Sequence, residues 1–460
     1  MSSKGSGMSA AGFPRPARRR DRTRAGEQPL ETLLAEMDPP SADLALAALA
    51  WLLPEGPDLA DLCQVELQEF LWYQLPLKWH VGTGERHDTA WALADLFTAA
   101  GSERYAALCR APQTHWLLDA WQEPDREPAR KAMRKAILLS GVDPPDTPLL
   151  EWGAVSGDAE FSARGQVSLA LEQMIDTGEL VPGQRGWRQV AARITADLLT
   201  MPRLGLHGET LLESVRHERS ERWAAGQPAV RRSLLTQMLP LLDNEVDVPA
   251  EASECLTPLQ WLLEHIDGAT LTQTGKLPRA LVLEANDKFG WFDLIGFKVR
   301  TETDLPELAV LNKLARRARL TTTRGRKVSL SATGRRALAD PSMLWRIAIA
   351  EVFSASSYEG EGAALAGATL VKSGMTVPRP TVEAKVGAAL TGRWCTASGE
   401  TLGNYAGSHA TRDFGLVADV FGWIEHGDSW PTPTFTLTRP GREAVLMGLQ
   451  LQARRPRDRV

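Results

Sequence analysis

Cysteine, lysine and long apolar runs are all scarce in this chain, and each scarcity removes a class of protein. Its 460 residues hold four cysteines, Cys63, Cys109, Cys255 and Cys395, with no close pair. Such scatter fits neither a disulfide framework nor a zinc ribbon, and the four read as packing residues. The longest purely apolar stretch, residues 44–53, stops at Pro54. It is about half the length of a membrane-spanning helix, so it reads as a buried helix and no membrane partner is expected. Arg18, Arg19 and Arg20 are not followed by the apolar segment of a secretory leader, so the expected compartment is a reducing cytoplasm.

Catalytic signatures are missing as well. The histidines His80, His87, His115, His207, His217, His265, His409 and His426 include no pair four apart that brackets a helical acid. His80, His87 and Asp88 are close in sequence but lack ligand spacing. The segment GTGER at 82–86 lacks the lysine and following hydroxyl residue of a phosphate-binding loop and reads as a flexible turn. No serine, cysteine or threonine sits in a nucleophile-elbow setting. The sequence therefore offers no catalytic residue, no metal site and no cofactor motif.

Positive charge is concentrated in three places. The formal net charge of −5 conceals seven basic against one acidic residue in 1–26, fourteen against seven in 276–340, and four against one in 454–460. The remainder is strongly acidic, so only these segments could attract a polyanion. Few of the 52 basic residues are lysine. That bias is typical of high-GC coding sequence, so the clustering of arginine says more than its abundance.

Residues 1–28, rich in Ser, Gly, Arg and Pro, read as a disordered basic tail. Residues 29–242 read as an α-helical region. Ala90, Leu93, Ala94 and Phe97 behind an Asp88 cap, then Val167, Leu171, Met174 and Ile175, then Trp187, Val190, Ala191, Ile194 and Leu198 form core-facing stripes. The prolines of GVDPPDTP suggest a subdivision near 141–150. Most of the 15 tryptophans, including Trp51, Trp72, Trp79, Trp91, Trp116, Trp121 and Trp187, fall on such stripes and are expected in the core. The acidic segment 243–250 reads as a domain boundary.

From residue 251 the pattern changes. A helix through 261–265 precedes a threonine-rich strand candidate at 269–275 and a helix opening near Pro278. Phe289, Trp291, Phe292 and Phe297 should pack beneath the next element, a strong helix over 304–319. Its apolar positions are Leu305, Leu308, Leu311, Leu314, Ala315 and Ala318, and its open face carries Lys313, Arg316, Arg317 and Arg319. Residues 320–323 and 327–330 are β-rich, with Arg324, Gly325 and Arg326 at the turn and Lys327 beyond it. The nonapeptide LSATGRRAL at 330–338 is matched by LTRPGREAV at 437–445, again after a helix and a hairpin, which suggests two tandem units.

In LTQTGKLPRALV, TETDLPELAVLNKLARRARL and LSATGRRALADPSMLWR the chain resembles the winged-helix superfamily. More narrowly, it resembles uncharacterised high-GC bacterial proteins with winged-helix-like modules, some fused to a plasmid ORF-3-like domain. The resemblance implies a winged-helix fold for the segments that carry it, and with the helical stripes upstream and the internal repeat the expected fold is mainly α: a helical N-terminal array, then winged-helix-like units at 251–346 and, with linker helices, 347–448, then a basic C-terminal tail at 449–460. It implies little about activity, because winged helices serve as DNA readers, docking modules and structural units.

The local charge favours a non-enzymatic DNA-binding or regulatory protein. In that reading the helix 304–319 enters the major groove of double-stranded DNA and the basic turn meets phosphate, through Lys313, Arg316, Arg317, Arg319, Arg324, Arg326 and Lys327. The second unit sets Arg412, Arg439 and Arg442 against Asp413, Asp419, Glu425, Asp428 and Glu443, which suits packing or dimerisation. The alternative is a protein-interaction scaffold in which both units pack or dimerise.

Overall fold

The structure, a computed structural model, describes residues 29–457 except 55, 57, 60, 61, 204–207, 293–297, 396, 403, 404 and 428–431. The N-terminal tail, Phe297 and residues 458–460 lie outside the described residues. The chain is mainly helical with two small antiparallel sheets. Among the described residues no helix is long and apolar enough to cross a membrane. Two compact units are present, Met1–Val215 with Pro456–Val460, and Arg216–Arg455.

In the first unit, helices between Leu30–Ala35 and Glu127–Ser140 enclose a core containing Leu49, Leu67, Phe70, Leu93, Phe97 and Leu117. The stripe of Ala90, Leu93, Ala94 and Phe97 is buried as its spacing requires. Its helix, Thr83–Ala99, starts earlier than the sequence suggested: Gly82 is the N-cap and Asp88 lies inside the helix. Trp51, Trp91 and Trp116 are about half exposed, which corrects their expected place in the core. A π-turn at Phe70–Gln74 precedes Pro76. Pro76 has no N–H for the carbonyl four residues back, and the Trp121 indole donates to that carbonyl, on Trp72, at 2.7 Å.

Gly141, at φ 81°, ends helix Glu127–Ser140. A separate cluster then follows, with Leu150, Val167, Leu171, Leu199, Leu212 and Val215. Buried Glu172 links the two clusters. It accepts from the Gln64 amide (2.9 Å), from Arg104 Nη2 (2.6 Å) and from the Tyr105 hydroxyl. Burial, reinforced by Glu172, pushes the Tyr105 phenol up.

The second unit has one continuous core, from Ala224 to Ala453. At its centre lies helix Tyr358–Ser373, buried throughout 360–371. Small residues let neighbours close in: a Cβ on Gly362 would come 2.6 Å from that of Ala410. Strands β1 (Thr321–Arg324) and β2 (Lys327–Leu330) form a hairpin. β3 (Val377–Pro378), β4 (Ile424–Gly427) and β5 (Thr434–Leu437) form a sheet in the order β3-β5-β4. Residues 243–250 lie inside this unit: the Asn244 carbonyl accepts from Gln450, and Glu245 pairs with Arg216 (2.7 Å) and Arg454 (2.9 Å). The first five residues of the expected C-terminal tail are helix, since Arg439–Ala453 continues past residue 449 with Leu449 buried.

Glu361 is the only carboxylate that enters the central helix among its buried residues. Its carboxylate accepts from Arg231 Nη1 (3.0 Å), Arg393 Nη2 (2.8 Å) and the Trp394 indole (2.8 Å). Burial pushes its carboxyl up, but Arg393, Arg231 and Trp394 together outweigh that and hold it below the usual range. Removing one partner from a buried ion cluster leaves the other charge uncompensated, so Glu361→Gln is expected to cost about 3–5 kcal/mol. A carboxyl depressed in the folded state contributes stability above its unfolded pKa of about 4.3 and loses it as pH falls through the lower folded value. Thermal unfolding against pH should therefore show the gap between wild type and Glu361→Gln narrowing in acid. Equal Tm values at neutral pH contradict the assignment.

Candidate nucleic-acid interface

The basic surface is built on helix Pro306–Arg317. Upstream, Asp304 accepts from the Arg300 and Thr301 amides at 2.9 Å each, closing a 3-10 turn, and Pro306 takes the first helical position, where its missing N–H costs nothing. Leu308, Leu311, Leu314 and Ala315 face the core. Buried Asn312 donates to Glu302 at 2.9 Å, and Glu302 also accepts from the Leu277 amide at 2.7 Å. Phe289, Trp291 and Phe292 pack against the same core, with the Phe289 and Trp291 rings stacked at 4.6 Å.

The helix ends at Arg317 with Ala318 as its C-cap, and the next residue, Arg319, is the one non-glycine residue with positive φ (54°) among the described residues. The Leu320 amide reaches back to the Ala315 carbonyl at 2.9 Å. This left-handed conformation costs an L-residue roughly 1–2 kcal/mol. The chain then runs through β1 and a two-residue turn opened by Gly325 at φ 61°. Thr321 pairs with Leu330 on the buried face, and Arg324 pairs with Lys327 on the exposed one. Two like charges directly opposite each other weaken a hairpin. The threonine-rich segment supplies a third edge: Thr270 bridges Lys327, and the Leu271 amide donates to the Arg326 carbonyl at 2.8 Å.

The same backbone closure is made at both hairpins. The Ser331 amide donates to the Leu320 carbonyl (2.9 Å), its hydroxyl to the Arg319 carbonyl (2.7 Å), and the Gly334 amide donates to that hydroxyl (2.8 Å). At the other, the Thr438 amide donates to Trp423 (3.0 Å), its hydroxyl to Gly422 (2.9 Å), and Gly441 donates to the Thr438 hydroxyl (3.1 Å). A Cβ on Gly334 would lie 2.0 Å from the Leu320 oxygen, and one on Gly441 2.0 Å from the Trp423 oxygen. The position before Trp423 is Gly422, at φ 63°. Its counterpart before Leu320 is Arg319.

No family model, curated protein or solved structure matches the chain.

The seven expected contact residues divide into two groups. Lys313 pairs with Glu359 at 3.0 Å, and Arg317 with Glu351 at 2.5 Å and Glu359 at 3.7 Å. Burial pushes the Glu351 carboxyl up, and Arg317 opposes that shift. Arg316, Arg319, Arg324, Arg326 and Lys327 are exposed and make no ion pair among the described residues. They run from the end of the helix to the hairpin tip. The helix itself packs against Pro341–Val352 and Tyr405–Val420 of its own unit. Sequence reading missed these carboxylates because Glu359 lies 46 positions from Lys313. The second hairpin lacks the charge: His426 pairs with Asp419 at 2.5 Å and Arg439 with Glu443 at 3.2 Å. Among the described residues no group of three or more side chains could hold a metal ion.

Valine at Gly334 or Gly441 would press a side chain into a backbone carbonyl. Each substitution is expected to destabilise the full chain by about 1–3 kcal/mol or more, read as a lower Tm. A wild-type Tm for both would refute the close approach.

Proposed function

We propose that this is a non-enzymatic, cytoplasmic DNA-binding or regulatory protein, and that the β1–β2 hairpin rather than the preceding helix makes the main contact with double-stranded DNA. In this reading both halves of the second unit are winged-helix-like modules from one duplicated pattern. Their order supports it: helix, edge strand, two helices, hairpin, first from Thr257–Ile266 to β2 and then from Tyr358–Ser373 to β5. The repeated hydroxyl-and-glycine closure supports it further. The first module carries the charge, and the second serves packing or dimerisation.

The carrying observation is that two local rules are broken side by side at the basic edge. Arg319 occupies a left-handed position that its counterpart gives to glycine, and Arg324 stands directly opposite Lys327. Residues kept at a cost to stability mark function more often than packing. A phosphate backbone would relieve both the charge repulsion and the concentration of unpaired cations. The second reading, a protein-interaction scaffold, is favoured by the carboxylates on Lys313 and Arg317, which take charge from the helix face that would meet a major groove.

Fluorescence anisotropy of the full chain on labelled duplexes, at several salt concentrations, separates the readings. Each phosphate contact contributes about 0.9 to the slope of log affinity against log salt. Replacing Arg324, Arg326 and Lys327 together by Ala should lower that slope by about 2–3 for every sequence tested, whereas Lys313→Ala should leave it nearly unchanged. Residues 1–28 are present in every variant, so differences report the hairpin alone. Arg319→Gly should raise stability by about 1 kcal/mol while weakening binding. Absence of binding at low salt, or an unchanged slope in the triple variant, supports the scaffold instead.

A further inference from the structure

A cavity of about 360 Å³ opens in the first unit, with Arg86, Arg126, His80, Gln122, Trp79 and Trp121 among its walls and, among the described residues, no carboxylate lining it. Arg86 is only 9% exposed, its Nε is buried without a hydrogen-bond partner, and it forms no ion pair among the described residues. An arginine cannot escape such a position by losing its proton, and buried charges are otherwise paired. Arg86 also sits in the early part of helix Thr83–Ala99, where the helix dipole disfavours a cation. That helix begins at Gly82 with no side-chain cap, and Val81 lines the cavity. Arg126, exposed and in no ion pair among the described residues, is the N-cap of helix Glu127–Ser140 and also lines the cavity.

The walls are fixed by the proline-directed turn described above. Trp121 is held by its bond to the Trp72 carbonyl, and Gln122 Nε2 donates to the Pro76 carbonyl at 3.0 Å. We propose that this cavity binds a phosphate monoester, with the phosphate between Arg86 and Arg126 and a small organic body along Trp79. Two guanidinium groups match the charge of a phosphate dianion and can present paired donors to its oxygens. The volume lies within the range of small-molecule sites and leaves room beyond the anion. The sequence segment GTGER, read as a turn because it lacks a phosphate-loop lysine, supplies Arg86 to this site by a different geometry. The inference is independent of the DNA reading, since its residues all lie in the first unit.

Isothermal titration and thermal unfolding of the full chain with inorganic phosphate and with phenyl phosphate test it, with sodium acetate at matched ionic strength as the control. Both phosphates should raise Tm saturably and acetate should not, with phenyl phosphate binding more tightly. Arg86→Met should weaken phosphate binding about tenfold to a hundredfold and, by removing an uncompensated buried charge, raise the Tm of the free protein. A merely structural arginine gives the opposite sign, a lower Tm. Arg126→Ala, at an exposed position, should weaken binding with little change in Tm, and the hairpin triple variant should bind phosphate as wild type does. No response to either phosphate, unaltered binding in both arginine variants, or a lower Tm in Arg86→Met overturns the proposal.

Discussion

Glu361 sets the terms for the second unit. A carboxylate at the middle of a packed core must be fully hydrogen-bonded or it costs several kcal/mol. The chain meets this with Arg231 from helix Ala229–Thr236 and with Arg393 and Trp394 after helix Arg379–Leu390. Segments far apart in sequence are thereby drawn to one helix of small residues. That helix in turn lets Tyr405–Val420 and Arg439–Ala453 approach closely. Both hairpins are mounted on this single core, so neither is an independent bead on a string.

The apolar pattern was legible because burial on a helix repeats at a fixed spacing. Val167 with Leu171, and Leu308 with Leu311 and Leu314, face their cores as that spacing requires. The hairpin at Arg324–Lys327 was legible from threonine, valine and a turn glycine. Less visible was anything fixed by a distant partner. Asp243 to Ala250 reads as a break in periodicity, yet Gln450, on the Asn244 carbonyl, and Arg454, on Glu245, fasten it from the other end of the chain. The pairing of Lys313 and Arg317 with Glu359 and Glu351 has the same character. Nor does sequence show backbone sign: the left-handed turn at Arg319 and the carbonyl pressed against Gly334 exist only once the hairpin closes.

Charge therefore has two meanings in this molecule. At Lys313 and Arg317 it is spent within the fold, in partly exposed pairs worth little to stability. At Arg319, Arg324 and Lys327 it meets no ion-pair partner among the described residues, at positions where neutral or smaller residues fit better. Arg86 shows the same contrast in the first unit, since Arg104 nearby in sequence is matched by Glu172 and Asp176 while Arg86 forms no ion pair among the described residues. Uncompensated cations in a chain of net negative charge are the feature that the proposed ligands explain.

Hydrogen exchange of the full chain with and without duplex DNA, at low salt, tests whether the β1–β2 hairpin meets DNA. Contact at the hairpin should slow exchange across residues 319–330 and leave β4 and β5 unchanged. Unchanged exchange at 319–330, or protection confined to β4 and β5, would contradict it.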